Sequence, residues 1–172
     1  MLGTDQFPRL PTSVQIGHVH LRVSDLERAT GFYRDVLGFR VVADGRAAGL
    51  QAVFLAAGEY HHHIALSTWP SAAGTPAPAG HTALHHLAIL YPHRDALGDA
   101  VRRVRAHRHA TDDARDHGCS VAVYLRDPDG NGLELYYDRS RAEWYDLTGR
   151  PVLKNEPFDP DELVIQSQRY AA

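Results

Sequence analysis

Two imidazoles and one carboxylate stand at related places in this sequence. His18 and His86 each precede an apolar, strand-like run, and Glu134 sits between leucines in LELYY. A carboxylate flanked by leucines in a strand is at least partly buried, so it must be paired or bind a cation. Two histidines and a carboxylate with further positions open form the ligand set of non-haem Fe(II) oxygen chemistry. Taken singly, each histidine reads better as a strand residue bonded to backbone. It is the placement of all three in a repeated layout that points to a metal.

The element that must carry the carboxylate is the stretch from Tyr124 to Tyr137. Asp127-Pro128-Asp129-Gly130-Asn131-Gly132 supplies the restricted φ of proline and the permissive φ of glycine that a hairpin reversal needs. Leu133 and Leu135 then share one strand face, and Glu134 and Tyr136 the other.

The rest of the chain reads as the same unit twice. Val14 to Val23 alternates as a strand, with His18, His20 and Arg22 on one parity. Ser24 and Glu27 read as a capping box for a helix with the stripe Leu26, Ala29, Tyr33, Val36 and Leu37, closed by Gly38. Strands follow at Phe39 to Val42, Leu50 to Leu55 and Tyr60 to Thr68. After a Pro, Gly and Ala-rich linker, the second unit has a strand at Leu84 to Leu90. A helix starts near Pro92, with Leu97, Val101 and Val104 inward. Extended pieces follow near Ala110 to Asp113, Ser120 to Arg126 and Leu133 to Asp138.

The expected fold is therefore α+β, two βαβββ modules forming a curved mixed sheet around a cleft where His18, His86 and Glu134 meet. The organisation is an arm (1–13), module one (14–69), a linker (70–83), module two (84–139) and a C-terminal tail (140–172). The tail is expected to pack over the domain without extending the sheet.

Composition narrows the setting. The chain has 172 residues, a net charge of −3 and 44% hydrophobic residues, which fits one globular domain without a nucleic-acid or anionic-membrane footprint. Twelve histidines are the compositional outlier. Cys119 is alone, so no internal disulfide forms. The N-terminus lacks the charged and apolar regions of a signal peptide, and no run reaches the length of a membrane span. A cytoplasmic protein, dimeric through its sheet edges, is expected.

The stretches GHVHLRVSDLERATGFYRDVLGF, EYHHHIALSTW, HHLAIL and RDPDGNGLELY resemble the vicinal oxygen chelate superfamily, across roughly residues 14 to 139. That group includes glyoxalases, bleomycin-type resistance proteins and type I extradiol dioxygenases. The resemblance implies a metal held by His18, His86 and Glu134. It is closest to compact two-module extradiol enzymes that cleave catechols or L-DOPA. It implies Fe(II), with Mn(II) as the alternative, and a catechol and O2 as substrates.

The nickel and zinc glyoxalases have a fourth ligand where this chain has Ala65, which cannot bind a metal. The extradiol pattern H-x-x-A-L is matched by His62-His63-Ile64-Ala65-Leu66 and implies His62 as the acid–base residue. Strict alternation, however, gives the face of Ala65 to His61 and His63, so His63 stands as the alternative or as a substrate contact. A tyrosine ten residues before the metal carboxylate, Tyr124, and a histidine in an HGxS pattern, His117-Gly118-Cys119-Ser120, are implied as substrate-orienting residues with catalytic roles. A glyoxalase-like isomerase or lyase and a non-catalytic drug-binding protein are the rival readings.

Overall fold

The computed structural model describes residues 9–78 and 80–170. Most of the expected arm therefore lies outside the described residues.

Two four-strand units repeat the same layout. In module one, β1 (Val19–Arg22) leads to α1 (Leu26–Gly31), which continues into a π-helical turn (Phe32–Val36). β2 (Arg40–Asp44), β3 (Ala52–Ala56) and β4 (Ile64–Ser67) follow. Module two has β5 (Leu87–Tyr91), α2 (Arg94–Ala106), β6 (Asp113–Gly118), β7 (Ser120–Arg126) and β8 (Gly132–Asp138). Each unit forms its own mixed sheet, ordered β1-β4-β3-β2 and β5-β8-β7-β6, with the first strand parallel to the last. The helices cover one face of these sheets, and buried residues of both modules form a single apolar cluster running from Leu21 to Leu163.

The paired registers reveal how closely the modules correspond. Val19 pairs with Ile64 and His20 with Ala65; Leu87 pairs with Leu133 and Ala88 with Glu134. His18 and His86 thus occupy matching places, one residue before their strands. Ala65 occupies in module one the place that Glu134 holds in module two.

Several expectations change. The first strand is four residues long instead of ten, because its partner β4 offers only Ile64 to Ser67. Ile16, ahead of it, is 97% exposed. The cap of α1 is Asp25, whose side chain accepts from Arg28 N, and not Ser24. Ser24 is taken by module two: its backbone N–H and its hydroxyl both donate to Asp129 Oδ1. Glu27, the other half of the expected box, is paired with Arg46. The extended piece expected near Ala110 to Asp113 begins at Asp113 and runs to Gly118, so His117 stands in a strand.

The tail also departs from expectation. Leu153–Pro157 forms β9, which pairs antiparallel with β6 and makes the second sheet five-stranded. The edge of β6 would otherwise expose unpaired backbone groups, and the tail satisfies them. A final helix, α3 (Asp161–Tyr170), buries Leu163 fully.

The modules are locked together at the hairpin that precedes Glu134. Asp127 is 4% exposed and its carboxylate accepts from Asp129 N, Asn131 N and Asn131 Nδ2, which shapes the turn. It also accepts from Tyr33 Oη of module one at 3.0 Å. Arg103 adds a second tie by donating to the Leu37 carbonyl at 3.0 Å.

Burial, then the Asp127 charge and hydrogen bond, hold the Tyr33 phenol well above its usual pKa. Tyr33→Phe should cost about 1.5–3 kcal/mol, the net worth of a hydrogen bond to a charged group. The pH dependence follows from the direction of the shift. Above about pH 10 the unfolded tyrosine loses its proton and the folded one keeps it, so stability falls with pH, by up to about 1.4 kcal/mol per unit for this one group. Urea unfolding at pH 8 and at pH 11 should show that Tyr33→Phe loses less stability on alkalinisation than wild type.

Candidate active site

Residues on the uncovered face of the second sheet come together at the start of β5 and the middle of β8. His86 Nε2 lies 3.0 Å from Glu134 Oε2. Tyr124 pairs with Glu134 across β7 and β8, and its hydroxyl donates to Glu134 Oε1 at 2.7 Å. His117 Nε2 lies 2.8 Å from the Tyr124 oxygen and 4.0 Å from Glu134 Oε1. Since the tyrosine hydrogen goes to Glu134, His117 Nε2 is the donor to the tyrosine oxygen. Burial first, and then the hydrogen bond to Glu134, raise the pKa of Tyr124, so it remains a phenol and a donor.

The tail reaches this network through its backbone, with the Lys154 carbonyl 3.3 Å from His117 Nδ1. Glu134 has a side chain only 13% exposed, and its carboxylate is satisfied by His86 and Tyr124.

Module one presents a second group. The ring centroids of His18 and His62 are 4.5 Å apart, and His62 also packs edge-on against Phe54 at 5.2 Å. Phe54 pairs with Ala65, so His62 sits on the face that Ala65 and His20 share. The alternation argument fails for a plain reason: β4 starts at Ile64, and His61 to His63 form a loop before it. His63 has its Nδ1 accepting from Ala57 N at 3.3 Å and its ring against Tyr60, and it lines the cleft between the modules, whereas His62 reaches that cleft only through its contact with His18. Burial and then the neighbouring histidines, His18 first, lower the pKa of His62, which keeps it neutral and able to accept a proton near pH 7.

A cleft of about 650 Å³ opens between the edge strands β1 and β5. It is lined by His18 and His63 from one module and by Leu84, His86, Leu90 and Tyr136 from the other. A second hollow of about 660 Å³ adjoins it, sharing His86 and adding His85, Tyr124 and Arg126. His86 and Glu134 are brought into contact, while His18 faces the common cleft from the other sheet. Among the described residues no three His, Cys, Asp or Glu side chains stand close enough together to hold an ion as they are placed here.

The donors fit a divalent transition metal in kind, two imidazoles on the walls of one cleft and one carboxylate in contact with the second of them. Ala65 at the matching place in module one adds no fourth ligand. Sequence reasoning gave no role to His20, which hydrogen-bonds Ser67 at 2.9 Å, or to Tyr136, although both share parity with a residue it did single out.

Comparison with known proteins shows the family. Residues 15–135 match the model of the Glyoxalase/Bleomycin resistance protein/Dioxygenase superfamily. The chain belongs to that superfamily.

Within it, the chain is 42% identical over 103 residues to the catechol-2,3-dioxygenase of Bacillus subtilis, covering 60% of this chain and 35% of that protein. It is 35% identical over 130 residues to biphenyl-2,3-diol 1,2-dioxygenase 3 of Rhodococcus globerulus, covering 72% and 63%. The chain thus spans between about a third and two thirds of the length of these dioxygenase relatives. The lactoylglutathione lyase of Haemophilus influenzae is 31% identical over 132 residues, covering 74% of this chain and 95% of the lyase. A glyoxalase/dioxygenase structure from Nostoc punctiforme shares the fold with a TM-score of 0.63 at 18% identity, covering 80% of this chain and all of that one. Among the described residues no helix is long and apolar enough to cross a membrane.

Proposed function

We propose that this protein is an extradiol dioxygenase that opens a catechol-type ring at a non-haem Fe(II) centre, with L-DOPA as a candidate substrate and Mn(II) as the alternative metal. The observation that carries the reading is the convergence of His86, Glu134, Tyr124 and His117 on one sheet face, beside a cleft that His18 enters from the other module. The dioxygenase relatives support the same branch.

His18, His86 and Glu134 would hold the metal. When bound there, Fe(II) supplies a Lewis acid for a catecholate and the redox chemistry that O2 requires. The chain's own residues bind, orient and move protons. His62, tied to His61 through Nδ1 at 2.8 Å, keeps Nε2 as its free nitrogen and takes the substrate hydroxyl proton there. Tyr124 orients Glu134 and His117 orients Tyr124, and the two would redirect these hydrogen bonds to the substrate oxygens when a substrate binds. The apolar lining, Leu84 and Leu90 with Tyr136, suits an aromatic ring and excludes water from it.

A glyoxalase-like lyase is the second reading, favoured by the match over nearly the whole length of a lactoylglutathione lyase. Alanine at position 65 weighs against it.

One assay separates the two. Protein reconstituted anaerobically with Fe(II) should consume O2 when given catechol, a 4-substituted catechol or L-DOPA, and yield a yellow ring-opened semialdehyde. Formation of lactoylglutathione without oxygen uptake would instead establish the lyase.

A further inference from the structure

We propose that Gly132 and His85 together form the seat that positions His86, which makes both of them positioning residues of the metal centre; this rests on the reading of His86 as a ligand. Gly132 opens β8, one residue before the rung that joins Leu133 to Leu87. A Cβ at Gly132 would lie 2.1 Å from the His85 carbonyl oxygen and 3.2 Å from His86 Cβ. The glycine is required here for space, unlike Gly130 in the preceding turn, whose φ of +83° requires it for conformation. Any side chain at 132 must push the His85–His86 backbone off β8. That movement opens the 3.0 Å separation between His86 and Glu134.

Module one supplies a comparison within the same chain. The matching rung there places His63, a full side chain, where module two has Gly132. Two residues on, module one has Ala65 and module two has Glu134. The close backbone approach thus occurs in the module that carries the carboxylate.

His85 contributes through its ring as well. His85 Nδ1 and His86 Nδ1 are 2.8 Å apart. Metal-bound histidines almost always donate their second ring N–H to a fixed acceptor, which sets the tautomer and the ring orientation. In this structure the Nε2–H of His86 faces the Glu134 carboxylate, and His86 Nδ1 accepts from His85 Nδ1–H. With an ion bound, the His86 proton would sit on Nδ1 and donate to His85 Nδ1, freeing the Nε2 lone pair on the Glu134 side for the metal.

The test uses Co(II), whose visible absorption reports coordination without turnover. Wild type, Gly132→Ala, His85→Phe, His86→Ala and the Gly132→Ala/His86→Ala double variant are titrated anaerobically, with folding checked by circular dichroism. Gly132→Ala and His85→Phe should each weaken Co(II) binding by about 10–100-fold, the range for lost outer-shell support. In the His86→Ala background, Gly132→Ala should add nothing, because its effect runs through His86. Wild-type affinity in Gly132→Ala, or a full additive loss in the double variant, overturns the proposal. Should Gly132→Ala fail to fold, His85→Phe decides, since it leaves the backbone contact untouched, and an unchanged affinity there overturns it. If wild type takes up no Co(II), the metal reading itself fails. The seat is then judged on metal-free protein by the imidazole ¹H–¹⁵N signals of His86, which should shift in either variant; unshifted signals overturn it.

Discussion

Glu134→Ala is expected to abolish tight Fe(II) binding and, with it, oxygen uptake. The change removes the one carboxylate among the proposed ligands and leaves His86 and Tyr124 without the group that both now contact at 3.0 and 2.7 Å. Loss of one of three protein ligands leaves two imidazoles on separate sheets. That pair has neither the charge nor the geometry to retain a hard-to-borderline dication. The fold should survive, because Glu134 sits on the uncovered face while Leu133 and Leu135 on the other face are fully buried. Iron content after desalting, measured beside the thermal midpoint, checks both halves. If Glu134→Ala retained about one Fe(II) per chain, the ligand set proposed here would be wrong.

The second large effect separates proton transfer from chelation. His62→Asn should keep iron and bind catechol, yet lower the single-turnover rate by ~10²–10⁴-fold, the usual worth of general acid–base help, or ~3–5 kcal/mol in transition-state stabilisation. His62 packs against His18 with the rings tilted, but belongs to the loop before β4. Asparagine keeps a polar group there and removes the titratable ring. His63→Asn serves as the control, since His63 Nδ1 is engaged by the Ala57 backbone N–H; its effect should stay within about tenfold, the loss of roughly one neutral hydrogen bond. A severe loss at His63 with a mild one at His62 would exchange their roles.

Much of this was legible in the residues. The periodic stripes of α1 and α2, the turn residues between strands and the two-fold recurrence of the βαβββ layout determined the module count and the fold class. Local sequence encodes those features because helix and strand periods and turn conformations are short-range properties. Placing His18 and His86 each one residue before an apolar run marked them as equivalent, and β1 and β5 begin where that equivalence requires. The parity of Glu134 followed from alternation within a regular strand, whereas its contact with Tyr124 across the hairpin is seen only in the structure.

Where the outcome depended on distant partners, the residues alone misled. Ser24 has the right neighbour for a capping box, but Asp129, 105 residues away, takes its hydroxyl and its N–H, and Asp25 caps the helix instead. The tail from Leu153 to Pro157 lacks a clear strand pattern; it becomes β9 because β6 offers it an open edge to pair with. Alternation gave the face of Ala65 to His63, but a strand that starts at Ile64 leaves both histidines in a loop, and packing against His18 and against Phe54, the cross-strand partner of Ala65, sets the orientation of His62. Gly132 carries no chemistry of its own, and its importance is visible only from the His85 carbonyl lying against it. The sequence by itself therefore determined the repeated two-module layout and nominated the side chains proposed for the chemistry. Tertiary structure decided which of them meet, because contact across two sheets depends on backbone approach and edge pairing that no local pattern encodes.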